Sequence, residues 1–210
     1  MIGLLIKIAL SYMLGSVSGS MLVGSLRHVD IRLIGSGNAG GTNAFRTQGF
    51  SFALVVVLID ISKGLLATWL FPQFELGELD FGVSFETQML GCGIAAVVGH
   101  CYPLWHGFRG GKGAATAVGT LMVIQPLALI PMILVWLIVL ILTGWVGLAT
   151  VLAGVSLIPA FLLLDRPGGQ LWYAIVLAAF VIFTHRSNIR NVLNGTEYRF
   201  EKAMIRKWFG

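Results

Sequence analysis

The chain has 210 residues, of which 57% are hydrophobic and only 11% charged, with a formal net charge of +5 and a mean hydropathy of +0.87. A soluble domain carries about 25% charged residues to cover itself with water-facing groups, so this composition excludes a soluble globule and makes lipid the main solvent. The apolar runs are continuous rather than alternating, which excludes a transmembrane β-barrel and leaves helices.

Seven hydrophobic segments follow one another at about 2–24, 50–72, 86–101, 113–125, 126–142, 148–164 and 171–186. A perpendicular span takes about 20 residues. The expected fold is therefore an all-α integral membrane protein, a bundle of seven transmembrane helices forming a single domain over residues 1–210. The first segment, with its lone Lys7, lacks the cleavage pattern of a signal peptide and reads as a span. The fourth is short, and Pro126 and Pro131 leave residues 113–142 open between two spans and one bent element. Cys92 and Cys101 lie half a turn out of phase on one helix and read as small core residues, not as a disulfide or a metal pair.

Charge gives the orientation. Eleven of the 14 basic residues fall in three segments: Arg27, Arg32 and Arg46 in 25–49; Arg109 and Lys112 in 102–113; and Arg186, Arg190, Arg199, Lys202, Arg206 and Lys207 in the tail 185–210. The loop 73–86 holds Glu75, Glu78, Asp80 and Glu86 with no Lys or Arg. The positive-inside rule places the basic segments in the cytoplasm and the acidic loop outside. With seven spans the N-terminus is then outside and the C-terminus cytoplasmic. No basic–aromatic platform accompanies these charges, so nucleic acid is not an expected partner.

Three polar clusters sit on the basic side. The first is Gly35-Ser36-Gly37-Asn38-Ala39-Gly40-Gly41-Thr42-Asn43, closed by Arg46. Its glycines bring backbone N–H groups close to an anion, its Ser, Asn and Thr side chains add neutral hydrogen-bond groups, and the guanidinium forks onto phosphate. Gly35, Gly37 and Gly40 also satisfy a dinucleotide-binding fingerprint, with Asp60 downstream. That motif needs a preceding strand and a βαβ unit, whereas a membrane segment precedes it here, so the match is accidental.

The second cluster runs from Gly99-His100-Cys101-Tyr102-Pro103 to Phe108-Arg109-Gly110-Gly111-Lys112-Gly113-Ala114-Ala115-Thr116. His106 and Gly113 stand where a Walker loop would have Gly and Ser or Thr, so it is not that nucleotide site. It is still glycines around a lysine at the start of an apolar helix, where free N–H groups and an ammonium attract anions. The third cluster is His185-Arg186-Ser187-Asn188-Ile189-Arg190, then Gly195-Thr196-Glu197. Inside the second span, Asp60 and Lys63 are three apart on one helix face, placed to neutralise each other.

Together the clusters resemble the three signature motifs of the bacterial acylphosphate:glycerol-3-phosphate acyltransferases, the PlsY family. Asp60-x-x-Lys63-Gly64 also fits that family's second span, and the resemblance covers nearly the whole chain in order. It implies a seven-helix bundle in the bacterial inner membrane whose site faces the cytoplasm. It implies acyl transfer from acyl phosphate to the sn-1 hydroxyl of glycerol-3-phosphate, giving lysophosphatidic acid and phosphate, by a monomer with no metal or cofactor. Carried onto this chain, Lys112, His185, Ser36 and Asn43 are the expected catalytic residues. Gly35, Gly37, Asn38, Gly40, Thr42, Arg46, Arg109, Gly110, Gly111, Gly113, Thr116, Asn188 and Glu197 are the expected phosphate-binding set.

Two positions depart from the family pattern. Where members read roughly Tyr-Val-Ser-Leu-Ala-Ser, this chain has Trp145-Val146-Gly147-Leu148-Ala149-Thr150, so one hydroxyl is gone and Thr150 replaces the other; Asn191 stands where Arg is common. None of His28, His100, His106 and His185 has an Asp five residues on, so the dyad of acyl-CoA acyltransferases is missing, in keeping with an acyl-phosphate donor. The competing reading is a transporter for an organic phosphate. Such a protein would spread polar groups through the bilayer midplane and open to both sides, whereas here they crowd one face and no internal repeat is visible.

Overall fold

The computed structural model describes residues 1–164 and 168–204, and within them every regular element is helical. Ten α-helices follow in order among the described residues: α1 (Ile2–Gly15), α2 (Gly19–Leu26), α3 (Gly41–Gln48), α4 (Phe50–Leu70), α5 (Phe85–Cys101), α6 (Ala114–Ile124), α7 (Leu129–Thr143), α8 (Val146–Leu163), α9 (Gly168–Thr184) and α10 (Arg186–Leu193). The seven hydrophobic segments are all helical. Among the described residues four stretches suffice by length and apolarity to cross a bilayer, Ile2–Leu26, Phe50–Gln73, Pro126–Thr143 and Val146–Leu163, and a fifth if the pair Gln170–Thr184 and Arg186–Leu193, bent by 57°, counts as one. Helix α6 is shorter. At 11 residues it reaches about half of a hydrocarbon core ~30 Å thick.

The stretch 113–142 is two helices. The chain leaves helical conformation at Gln125 (φ −155°, ψ 78°) ahead of Pro126, while Pro131 falls in the first turn of α7, where a missing N–H costs nothing. The same point divides the chain into two compact units, Met1–Ile124 and Gln125–Gly210.

In the first unit the opening span is broken. Helix α1 stops at Ser16, and Ser18 starts α2 by accepting the N–H of Met21 at 3.4 Å. A break inside a bilayer needs partners for its freed backbone groups, and the second span supplies them. The ammonium of Lys63 donates to the Val17 carbonyl at 2.6 Å, and the Gly19 N–H donates to Asp60 Oδ1 at 3.3 Å. Small residues let the helices close up. A β-carbon at Gly64 would overlap the Thr116 carbonyl, and one at Gly119 the Ile61 carbonyl, so α4 and α6 cross backbone to backbone.

Helix α1 spans the length of this unit and fixes its two ends. Lys7, 1% exposed, donates to Asp80 at 2.8 Å and to Gln88 at 2.6 Å, tying α1 to the acidic loop. Two turns on, Tyr12 donates to the Tyr102 carbonyl at 2.7 Å and Ser16 accepts the Leu104 N–H at 3.3 Å. The acidic loop and the second glycine cluster therefore lie at opposite ends of the unit.

In the second unit, Gly144 ends α7 in the left-handed region (φ 73°), and its carbonyl accepts the N–H of Phe200 at 2.7 Å. This draws the segment after α10 onto the α7–α8 turn, where the Arg199 guanidinium stands 4.7 Å from the Trp145 ring centroid. Of the basic tail, Arg206, Lys207 and the side chain of Lys202 lie outside the described residues.

Candidate active site

The first cluster is a fixed turn leading into a helix. Asp30 caps a short 3₁₀ turn at Ile31–Leu33, accepting the Arg32 N–H at 2.9 Å, and grips the Arg32 guanidinium at 2.7 and 3.0 Å. Those hydrogen bonds hold the Asp30 carboxyl below, and the Arg32 guanidinium above, its ordinary pKa. Ile31 is fully buried against Ala44, Phe52, Ala53 and Val56, which anchors the turn to α3 and α4. Ser20 donates to the Ala39 carbonyl at 3.0 Å from the first span.

Gly35 adopts φ 62°, and the space its β-carbon would need holds the Asn43 side-chain oxygen. Asn43 is 1% exposed. Its amide accepts the Ser36 N–H at 2.9 Å and donates to the carbonyls of Ile31 at 2.8 Å and Ile34 at 3.1 Å. Helix α3 then begins after Gly40 with no side-chain cap. Its first N–H groups have no intrahelical partner, so the turn presents an uncapped positive helix end, with Ser36 and Thr42 exposed and Arg46 half-buried one turn along.

The second cluster folds back on the helix that precedes it. Gly110 N–H donates to the Cys101 carbonyl and Gly111 N–H to the His100 carbonyl, both at 3.1 Å, closing the loop at its base. Gly113, at φ 86°, turns the chain into α6, and a β-carbon there would press on the Val97 and Cys101 side chains. Lys112 is half-buried between these glycines and Arg109 is exposed. One contact joins the two clusters: the Arg32 guanidinium donates to the His106 carbonyl at 3.2 Å. Burial, with the Arg32 charge second, pushes the His106 imidazole below its ordinary pKa.

The third cluster, in the second unit, sits at the bend between α9 and α10. His185 is 5% exposed, and its Nδ1 lies 2.9 Å from the Val181 carbonyl. A carbonyl only accepts, so that nitrogen carries the proton and a neutral ring keeps its lone pair on Nε2. Asn188 donates to Glu197 at 2.7 Å, and the backbone of Thr196 and Glu197 closes onto the Asn191 carbonyl. Asn188 and Glu197 are thus brought together, with His185 at the head of the same helix. A β-carbon at Gly147 would collide with the Asn188 amide, which gives the departure at that position a steric reason.

The sequence model of the glycerol-3-phosphate acyltransferase family matches residues 5–195. The chain belongs to that family. It is 39% identical over 203 residues to the glycerol-3-phosphate acyltransferase of Bacillus velezensis, covering 96% of this chain and 97% of the relative. Among solved structures it is similar to PlsY, an integral membrane glycerol 3-phosphate acyltransferase, in the glycerol 3-phosphate form (TM-score 0.84) and the lysophosphatidic acid form (TM-score 0.82). Both are 34% identical, with 94% of this chain and 95% of the other covered.

The structure gives several of the expected site residues definite partners. Asn43, expected to be catalytic, spends its whole amide on backbone partners and holds the loop that presents Ser36. Thr116, expected to bind phosphate, is fully buried in the α4–α6 crossing with its methyl against Gly64. Thr150 donates to the Val146 carbonyl at 2.9 Å and accepts from the Trp136 indole at 3.2 Å, so its hydroxyl is taken up between α7 and α8. Sequence reasoning missed Asp30, Arg32 and Ser20, which build and tie the first loop. The Asp-x-Arg spacing before a glycine-rich run was the available signal for two of them.

Proposed function

We propose that this chain transfers a fatty acyl group from acyl phosphate to the sn-1 hydroxyl of glycerol-3-phosphate, releasing lysophosphatidic acid and inorganic phosphate. The observation that carries this reading is the Arg32–His106 contact. It ties the turn ahead of the first glycine cluster to the loop that leads into the Gly-Gly-Lys-Gly turn, in the first unit. Family membership, and the two forms in which the PlsY structures were solved, support it further.

Both substrates are anions. The N–H groups at the start of α3, the Ser36 hydroxyl, Arg46 and Lys112 hold their phosphates, with Asn38, Thr42, Arg109 and the glycines of both loops shaping the cradle. His185 and Asn188 bind phosphate from the third cluster, and Glu197 orients Asn188. An acyl phosphate is an activated anhydride. The enzyme therefore has to align the hydroxyl with the acyl carbon and stabilise charge on the departing phosphate. The whole chain works as one monomeric catalytic domain of seven spans in the bacterial inner membrane, N-terminus outside, C-terminus and site cytoplasmic. In this topology α6 is a short span.

Purified protein incubated with acyl phosphate and glycerol-3-phosphate should yield lysophosphatidic acid, read by thin-layer chromatography or mass spectrometry. Product from acyl-CoA but not from acyl phosphate would overturn the donor assignment.

A further inference from the structure

Three buried polar side chains under the second cluster have no part in the chemistry set out above. Asp60, Lys63 and His100 are 1%, 3% and 4% exposed. The Lys63 ammonium has acceptors at Val17 O (2.6 Å), Asp60 Oδ1 (2.9 Å) and His100 Nδ1 (2.9 Å). An ammonium has three N–H donors and accepts nothing, so three acceptors satisfy it completely. His100 Nδ1, which also lies 3.3 Å from Asp60 Oδ1, accepts from this ammonium in the tautomer that keeps the ring proton on Nε2.

That Nε2 edge faces the glycine loop. Its Nε2, Cε1 and Cδ2 atoms fill the space that a β-carbon of Gly111 would occupy, while the His100 carbonyl receives the Gly111 N–H. Residue 111 is therefore gripped through both the ring and the backbone of one histidine. The ring is fixed by Lys63, which is fixed in turn by Asp60 and by the carbonyl freed at the break in the first span.

We propose that Asp60, Lys63 and His100 form a positioning network for the acyl transfer, setting the Gly110–Gly113 turn and, through it, the place of the Lys112 ammonium. This rests on the reading of Lys112 as a phosphate-binding residue. A buried ion pair that serves only the fold is often replaced by apolar residues of similar size at little cost. A pair that serves a neighbouring site is not replaceable in that way.

The test is the neutral double variant Asp60→Leu/Lys63→Met, assayed with acyl phosphate and glycerol-3-phosphate in detergent, in wild-type and Lys112→Met backgrounds. Displacing the ammonium by even an ångström should raise the glycerol-3-phosphate KM of the folded protein by about 10- to 100-fold, with kcat changed less, while the melting temperature falls because the Val17 carbonyl and the Gly19 N–H lose their partners. Because the network acts through Lys112, the effect should largely vanish in the Lys112→Met background, the non-additivity of a coupled pair. A wild-type KM in the double variant, or full additivity with Lys112→Met, overturns the proposal. Unchanged kinetics in Lys112→Met alone instead overturns the phosphate-loop reading beneath it. Should the double variant fail to fold, His100→Asn serves. Its amide oxygen replaces Nδ1 as the Lys63 acceptor while the edge against Gly111 is lost, so a raised KM in folded protein supports the network and a wild-type KM removes it.

Discussion

The Asn43 side-chain oxygen accepts the backbone N–H of Ser36 at 2.9 Å, seven residues back along the chain, while its NH₂ group holds the carbonyls of Ile31 and Ile34. One buried amide thus closes the loop on which the proposed phosphate cradle rests. Asn43→Ala leaves three backbone groups without partners and should cost about 2–3 kcal/mol of stability, at roughly 1 kcal/mol per bond lost, with activity falling alongside. Asn43→Asp is the sharper variant. Its carboxylate faces two carbonyls that need donors, so the folded state favours the protonated acid and raises its pKa. Stability from that acid is present at low pH and lost as pH rises through the folded pKa. The melting temperature of Asn43→Asp relative to wild type should fall with rising pH, and a gap that stays constant across pH would refute the assignment.

Lys112→Met removes one charge-stabilising donor from the Gly-Gly-Lys-Gly turn. By comparison with loss of one preorganised oxyanion donor, the transition state should be raised by about 2–4 kcal/mol. The melting temperature should hardly move, because the residue is only half-buried on a loop at a helix start. Near-normal kcat/KM would reduce the turn to a headgroup anchor.

Much of this was legible in the sequence, and the failures have physical causes. Apolar runs report helices directly, and Asp60 and Lys63 announced their ion pair by spacing. The break at Ser16–Ser18 was missed because the first segment is apolar throughout. Only the small polar run Gly15-Ser16-Val17-Ser18-Gly19-Ser20 marked it, and its reason, two charges on another span, lies more than forty residues away. Helix α3 has no signal in the sequence because Gly41, Thr42 and Asn43 are poor helix formers; what holds it is Ala44 packed into the cluster around Phe52. Lys7 read as a lone charge at the chain start, since its partners Asp80 and Gln88 lie far along the sequence. Periodicity sees the faces of one element, whereas Asn43, Lys7 and His100 earn their roles across elements.

The Lys7–Asp80 pair yields a pH dependence. The Lys7 hydrogen bond holds the Asp80 carboxyl below the usual carboxylate range. A group with a depressed folded pKa contributes stability above its unfolded pKa, about 4, and loses it as pH falls through the folded value. Asp80→Asn should therefore melt below wild type at about pH 7, and the gap should close as the pH falls below about 4. A gap persisting at the acid end would mean the loss comes from packing and not from charge.

Topology is tested by labelling. With Cys92 and Cys101 replaced, single cysteines at Glu75 and Thr196, both exposed, should react with a membrane-impermeant maleimide from opposite faces. Glu75 serves better than its neighbour Gly77, whose φ of 58° would strain a side chain. Reaction of both sites from the periplasmic side would overturn the orientation.

The proton taken from the attacking hydroxyl needs an acceptor, and the three clusters hold few. His100 keeps Nδ1 on Lys63, and Glu197 is engaged by Asn188 at 2.7 Å. His185 has the tautomer a general base requires, since its Nδ1 proton goes to the Val181 carbonyl and Nε2 bears the lone pair. Yet the orienting partner at Nδ1 is a neutral carbonyl, without the carboxylate that stabilises an imidazolium in catalytic triads. A phosphate monoester has its second pKa at about 6 and suits proton transfer near neutral pH. The expected base is therefore an oxygen of a substrate phosphate, and His185 positions that phosphate through its Nε2 edge. His185→Gln keeps a hydrogen-bonding amide near that nitrogen, so it should retain measurable turnover with the pH profile of wild type. A variant that binds both substrates normally and does not turn over would instead make His185 the base.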